Sequence, residues 1–586
     1  MEELSTAEFR FPAIGAFLRA VVTVFAASIQ RCSFFIFNDS FFEGFIMAHT
    51  TALINGHIYL NRGQFAQALL IRDDRIALVG TTEAIQAATP ADAEVIDLAG
   101  RTVIPGFNDS HIHFVAKGEA LDDINLAGTR SIAEVAQRVK DYIAQRKPAP
   151  GTVLQGRGWN QDYFVEDNHR LLSRHDLDAI TTEYPLILIR ACMHILTANS
   201  RALELAGLNR ESQPVDGGAF DRDANGELTG VIRENACKQI VCIRSEPTDE
   251  DILRQMRTAM RYALKHGVTS VQTMDMLPNN WEQIWRLYDQ ITQEDPLVRI
   301  YHQVNFMEPN VFRRFLAEGF HTGTGTPFNR VGPLKMYLDG TLGARTALMR
   351  HPYHDDPSVT GIATMTREQA AEMVQIAVEN NCQVVMHAIG DGAIELALDT
   401  YEPYTQNGNN PLRLGVLHVQ ITDKPLLERF ARQRLLAYVQ PHFLDYDTLI
   451  VEDRVGPELA ATSYAFGTLL HSGVPITFGS DSPVEEINPF NNLYCAVTRK
   501  RLNGQPENGF HPEEALDIYE AVDAYTLGSA WAQFEDNVKG RLLPGYYADL
   551  AILNQDIFSV SPETMLSTVV DATMCAGRFV YRREGA

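Results

Sequence analysis

Two histidines separated by a single residue, His111 and His113, close the stretch "VIPGFNDSHIHF" that runs from Val103 to Phe114. In an extended chain alternate side chains share a face, so both imidazoles point together while Ile112 points away. Neutral imidazole is a common metal ligand, and a convergent pair is half of a typical zinc site. Ordinary strand histidines have the same spacing, so the chemistry depends on further ligands. Candidates stand at the ends of later apolar runs: Lys335 in "LKMYLDG", His387 in "VVMHAIGD", His418 in "GVLHVQ" and Asp481 in "TFGSDSP". Each alone has an ordinary reading as a lysine paired to a carboxylate, a satisfied core histidine or an aspartate capping the next helix. Their joint order, HxH, Lys, His, His, Asp, is hard to attribute to accident.

The elements that must position these groups can be read from the same text. After the His111 strand come "GVTSVQTMD", "LVRIYHQVNF", "VGPLKMYLDG", "CQVVMHAIG", "RLGVLHVQ", "LLAYVQPHF" and "PITFGSDSPV". Helical text such as "REQAAEMVQIAVENN" separates them, which indicates repeated right-handed βα units. Eight such units close into a (β/α)8 barrel of the α/β class, whose chemistry sits at the carboxyl ends of its strands. The chain between His113 and Gly267 is far longer than one crossover needs, so an inserted α+β subdomain over the mouth, at about residues 116–250, is expected. Short strand-like runs punctuated by turn residues lie at both ends, over 47–105 and 538–586. Neither end suffices alone, so the two are expected to pair into one composite β-sandwich around a barrel spanning 106–537. Residues 1–46, with the broken apolar run "FPAIGAFLRAVVTVFAASIQ", read as a poorly ordered extension or an upstream start-site artefact, with a targeting or membrane-surface segment as the alternative.

The composition narrows the function. A formal net charge of −24 over 586 residues argues against nucleic acid or an anionic membrane as partner and favours a small neutral or cationic substrate. Seven cysteines without a Cys-x-x-Cys pair speak against a disulfide framework and for a reducing, cytoplasmic setting. "DRDANGELTG" starts like a calcium loop, but Ile232 stands where the bidentate Glu belongs, so Asn225-Gly226 reads as a hairpin turn. A homodimer is the default expectation for such a barrel.

The motifs resemble the amidohydrolase superfamily and, more narrowly, the YtcJ-like branch, the amidohydrolase family 3 group that includes N-substituted formamide deformylases. The resemblance rests on "VIPGFNDSHIHF", "LKMYLDGTLGARTA", "VMHAIGDGAIELAL", "FGSDSPV", "GRGWNQ", "ANSRALE" and "LLPGYYADLAIL", and covers the chain from Met47 onward. It implies that His111, His113 and Asp481 hold one Zn2+, that His387 and His418 hold a second, and that Lys335 bridges the two as a carbamate. A plain ammonium has no lone pair for a metal, so that bridge requires carbon dioxide to have carboxylated the lysine. Asp481 is then the catalytic acid–base, and a linear amide or N-formyl C–N bond, not a peptide, is the expected target. Cyclic amide or ester hydrolysis, or a non-catalytic regulatory barrel, are the alternatives. His194 and His442 are candidates for orienting substrate, as is Trp159, with Tyr163, Phe164, Phe443 and Tyr446 expected near the mouth. Two positions depart from the family pattern: Leu417 stands where an acid often precedes the sixth-strand histidine, and Met193 where glycine is common.

Overall fold

The structure is a computed structural model that describes residues 49–190, 195–215, 218–243 and 247–585. The expectations for residues 1–46 and for Met193 and His194 lie outside the described residues. Eight parallel strands form one sheet in chain order: β1 (Phe107–Ile112), β2 (Val268–Thr273), β3 (Arg299–Asn305), β4 (Asn329–Tyr337), β5 (Val384–Ala388), β6 (Gly415–His418), β7 (Leu436–Val439) and β8 (Ile476–Phe478). The backbone beyond β8 completes the ring, with Asp481 N donating to His111 O at 2.8 Å and His113 N donating to Ser482 O at 2.9 Å. The expected (β/α)8 barrel is therefore present, with all eight strands where their apolar runs stood. Both faces of each strand are buried, as parallel sheets require. Leu334 and Met336 of β4 face the surrounding helices, whereas Lys335 and Tyr337 take the alternate, inward positions. Below them Val385, Leu417, Leu436 and Tyr438 form a small interior cluster that fills the barrel.

The two ends of the chain meet in a six-stranded sheet. Thr102–Pro105, just before β1, pairs antiparallel with Leu550–Leu553, far beyond β8. A second, four-stranded sheet is made of Thr50–Ile54, Ala68–Arg72, Arg75–Gly80 and Glu94–Asp97. Leu53, Leu69 and Ile76 of the second sheet share one apolar core with Val103, Leu550 and Ile552 of the first. Their alternating inward residues account for that packing.

Helices α1 (Phe114–Asp122) and α2 (Asp249–Lys265) pack along one another beside β1. Gly118 permits this approach, because a Cβ there would lie 2.1 Å from the Gln255 carbonyl oxygen. Between the two helices runs an inserted six-stranded sheet, from Ile124 to Glu234, with its own cores. Since α1 belongs to the layer around the barrel, the sheet starts after it, several residues later than the expected 116. Within it Asn225-Gly226 forms the turn between Gly218–Arg222 and Leu228–Glu234, with Gly226 at φ +81° and Asp223 Oδ1 accepting from Asn225 N and Glu227 N. Among the described residues no helix is long and apolar enough to cross a membrane.

Candidate metal centre

The histidines of β1 and the aspartate after β8 meet at one point. Asp481 Oδ1 lies 3.3 Å from His111 Nε2 and 3.2 Å from His113 Nε2. One ligand atom from each residue lies within 4.8 Å of the others, so a single cation could touch all three. His418 continues the arrangement, its ring centroid 5.9 Å from that of His111 and 4.5 Å from that of His387. Leu417 points into the barrel, so regular alternation would send His418 outward. Its φ of +80° breaks that alternation at the strand end.

The far sides of the rings fix which nitrogen carries the lone pair. His111 Nδ1 lies 2.5 Å from Gln303 Oε1, while Gln303 Nε2 donates to Ser110 O, so the amide oxygen must accept and His111 keeps Nε2 for a ligand. Gln440 Oε1 lies 2.8 Å from His418 Nδ1. This amide stands in for the acid missing at Leu417. His387 is turned around: Nε2 is 3.0 Å from the Gly340 carbonyl, which only accepts, so its lone pair is on Nδ1. Asp339 Oδ1 also lies 3.3 Å from that Nε2, and its carboxylate accepts from Leu348 N, Ile389 N and Gly390 N, which holds the loops around the ring.

Lys335 is fully buried, and its Nζ, 3.5 Å from the centre of the Tyr337 ring, has no hydrogen-bond partner among the described residues. Burial lowers its ammonium to about 7, against the opposing charges of Asp481 and Asp339. Burial also pushes His111 down to about 4 and His418 well below the usual imidazole range, so both rings are neutral near pH 7. For Asp481 burial acts upward, but His111, His113 and His418 outweigh it and hold the carboxyl well below its usual range. Neutral imidazoles, an ionised carboxylate and an orphaned buried amine form a donor set that fits a divalent cation of the zinc type.

Asp109 supports the site from beneath. Burial raises its carboxyl to about 7, and it accepts from Ser480 N, His111 N and the Tyr525 hydroxyl, tying β1 to the loop after β8. Tyr525 lies in the π turn Ala524–Gly528. Sequence reading passed over Asp109, Gln303, Asp339 and Gln440. The usable signal was a polar residue on the inward face of a strand buried on both faces, as Gln303 is in "RIYHQVN".

His442, in the short turn Pro441–Phe443 after β7, is buried with Nε2 3.4 Å from Glu485 Oε2. Phe443 stacks on His418 at 5.8 Å, and Tyr446 is exposed beside Gly343. Trp159 does not join them. It is a core residue of the inserted sheet, fully buried, with its indole N–H donating to Leu188 O and its ring stacked on buried Phe164; Tyr163 is on the surface of the same insert. A large amphipathic ring with an internal acceptor is stabilised by packing, which corrects the expected substrate contact.

An amidohydrolase family model matches residues 94–581. A putative amidohydrolase, YtcJ, of Bacillus subtilis is 30% identical over 541 residues, which cover 90% of this chain and 99% of that protein. An N-substituted formamide deformylase of Arthrobacter pascens is 24% identical over 534 residues, covering 90% of this chain and 96% of that one. Among solved structures, an uncharacterized metal-dependent hydrolase from Pyrococcus horikoshii superposes with a TM-score of 0.71 at 30% identity, over 88% of this chain and 99% of that one.

Proposed function

The chain belongs to the amidohydrolase family, in its YtcJ-like branch, and from that premise we propose that it hydrolyses the C–N bond of a small non-peptide amide, of linear or N-formyl type, at a two-zinc centre. Membership alone makes it a metal-dependent hydrolase of C–N bonds acting on small molecules. The observation that carries the finer reading is the single carboxylate oxygen of Asp481 set 3.2 to 3.3 Å from two imidazole nitrogens. His111, His113 and Asp481 would hold one ion, and His387 through Nδ1 and His418 through Nε2 the other. Lys335 would bridge them once its amine has added carbon dioxide, giving a carbamate and a released proton. The absence, among the described residues, of a competing hydrogen bond to its Nζ supports that role. Bound zinc would supply an ionised water near neutral pH and polarise the substrate carbonyl.

The chain's own residues do the rest. Asp481, whose carboxyl is held well below its usual range, takes the proton of the attacking water and delivers it to the leaving nitrogen, a step worth roughly 10²–10⁴ in rate. His442, beside Glu485, and Phe443, stacked on His418, would orient the substrate from the turn after β7. The likeness to a formamide deformylase supports the N-formyl class. The buried thiols of Cys382, Cys495 and Cys575 suit a cytoplasmic setting.

The test is metal analysis together with a substrate panel of N-substituted formamides, acylated amines, cyclic amides and esters, with and without a chelator. The expected result is about two zinc ions per chain and formamide turnover that is lost on chelation and restored by zinc. Turnover that survives complete metal removal overturns the reading. Turnover confined to cyclic amides or esters moves it to that class.

A further inference from the structure

One carboxylate at the mouth lacks the partner that its neighbours have. Glu485 follows Asp481 by four residues, in the loop after β8, and its side chain is 23% exposed, buried enough to be costly and open enough to be reached. Four other carboxylates act on it: Asp445, Asp447, Asp481 and Glu486. Asp481 lies 3.2 to 3.3 Å from His113 and His111 at the metal centre, and the other three have donors of their own. Asp447 accepts from the Tyr464 hydroxyl at 2.7 Å and from Gln420 at 3.3 Å. Asp445 accepts from Leu502 N at 2.5 Å, and Glu486 takes both the Lys117 ammonium, at 3.1 and 3.2 Å, and Ile487 N. Lys117 is thereby committed. Glu485 has only His442 Nε2 at 3.4 Å, without a hydrogen bond among the described residues.

His442 does not supply the missing charge. It is 2% exposed, its Nδ1 has no hydrogen-bond partner among the described residues, and burial holds its pKa below the usual range, so at neutral pH it is an uncharged ring facing an acid. A half-buried carboxyl group among carboxylates, opposite a neutral imidazole, is complementary to a cation that the protein itself does not provide and that would ionise it on arrival. The net charge of −24 would draw such a cation toward the surface.

We propose that the substrate is an amide that also bears a protonated amine, and that Glu485 receives this ammonium beside His442 while the scissile bond lies at Asp481. This deepens the hydrolase reading and rests on it. Burial and the surrounding carboxylates push Glu485 up to about 8, so an arriving ammonium would also ionise it and release a proton. Val484, 64% exposed next to it, gives apolar surface for the stem of the substrate.

The experiment compares N-(4-aminobutyl)formamide with neutral N-pentylformamide on the zinc-loaded enzyme. The expected result is a preference of about tenfold or more in kcat/KM for the cationic compound. Glu485→Gln should collapse that ratio toward one, mainly through KM, and Glu485→Asp, which keeps the charge, should retain much of it. An undiminished ratio in Glu485→Gln, or a wild-type preference for the neutral compound, overturns the proposal. If neither compound is hydrolysed, the formamide reading falls, and calorimetry of the same two compounds then decides the subsite. Tighter binding of the cation that is lost in Glu485→Gln, with about one proton released, keeps it; equal binding of the two compounds ends it.

Discussion

Lys335 and Lys539 are both buried in the barrel, one at each end, and their surroundings differ in kind. At the N-terminal ends of the strands the Lys539 ammonium donates to Ser270 Oγ at 3.1 Å, to Glu535 at 2.7 Å and to Gln533 Oε1. Arg330 approaches Glu535 from the other side at 2.9 Å, and nearby Arg299 pairs with Asp549 through two bonds of 2.6 and 3.1 Å. At the C-terminal ends Lys335 faces an aromatic ring and has no hydrogen bond among the described residues. Burial lowers the pKa of both lysines. A buried charge that is fully paired joins elements together, whereas a buried amine without partners is a cost that the fold bears for chemistry. The two ends of the barrel divide these duties, as the architecture leads one to expect.

Replacing each lysine by methionine, close in volume and apolar, is the sharpest way to break this comparison. In Lys335→Met the expected loss of activity is the largest, about 10³-fold or more, with metal content reduced. The thermal midpoint of the metal-free protein should stay level or rise, because an unpaired buried amine has been removed. Lys539→Met should do the reverse: activity per folded molecule is kept, while stability falls by about 3–5 kcal/mol, because Glu535 is left buried beside an apolar chain. Activity assays paired with thermal melts read both. Equal stability losses in the two variants would erase the distinction between the ends.

A smaller effect is expected one step out from the ligands. Gln303→Leu and Gln440→Leu remove the amide oxygens that hold His111 and His418, and each should weaken zinc binding by about 10- to 100-fold, read by competition with a chelator. These two residues mark the limit of what the sequence made legible. The eight strands could be read because each is an apolar run between turn residues, and the ligands because the residue types a metal demands stand at the run ends. Which glutamine serves which histidine depends on lateral register. Gln440 lies just past the end of the strand beside that of His418, 22 residues on, and Gln303 lies 192 residues from His111. Such neighbours exist only once the sheet has closed. The reversed ring of His387 is likewise set by a carbonyl, that of Gly340, which leaves no trace in residue type.

Trp159 gives the mildest prediction and carries the comparison from the barrel ends to the inserted sheet. An aromatic residue in "GRGWNQ" is, to sequence reading, as good a mouth contact as Phe443, since each stands directly beside a polar residue, Asn160 and His442 respectively. Packing separates them. Phe443 stacks on a candidate ligand, whereas Trp159 is enclosed by Leu188, Phe164 and the rest of the insert's own core, with its one polar atom satisfied inside. Trp159→Phe keeps an aromatic ring in that space but gives up the bond to Leu188 O and some volume, a cost of about 1–2 kcal/mol from the unmet carbonyl and the looser fit. KM and kcat should remain within about twofold of the wild type. A tenfold rise in KM without a fall in thermal midpoint would place the ring against substrate and make the insert part of the site. A lower midpoint at unchanged KM would leave recognition to the loops after β7 and β8.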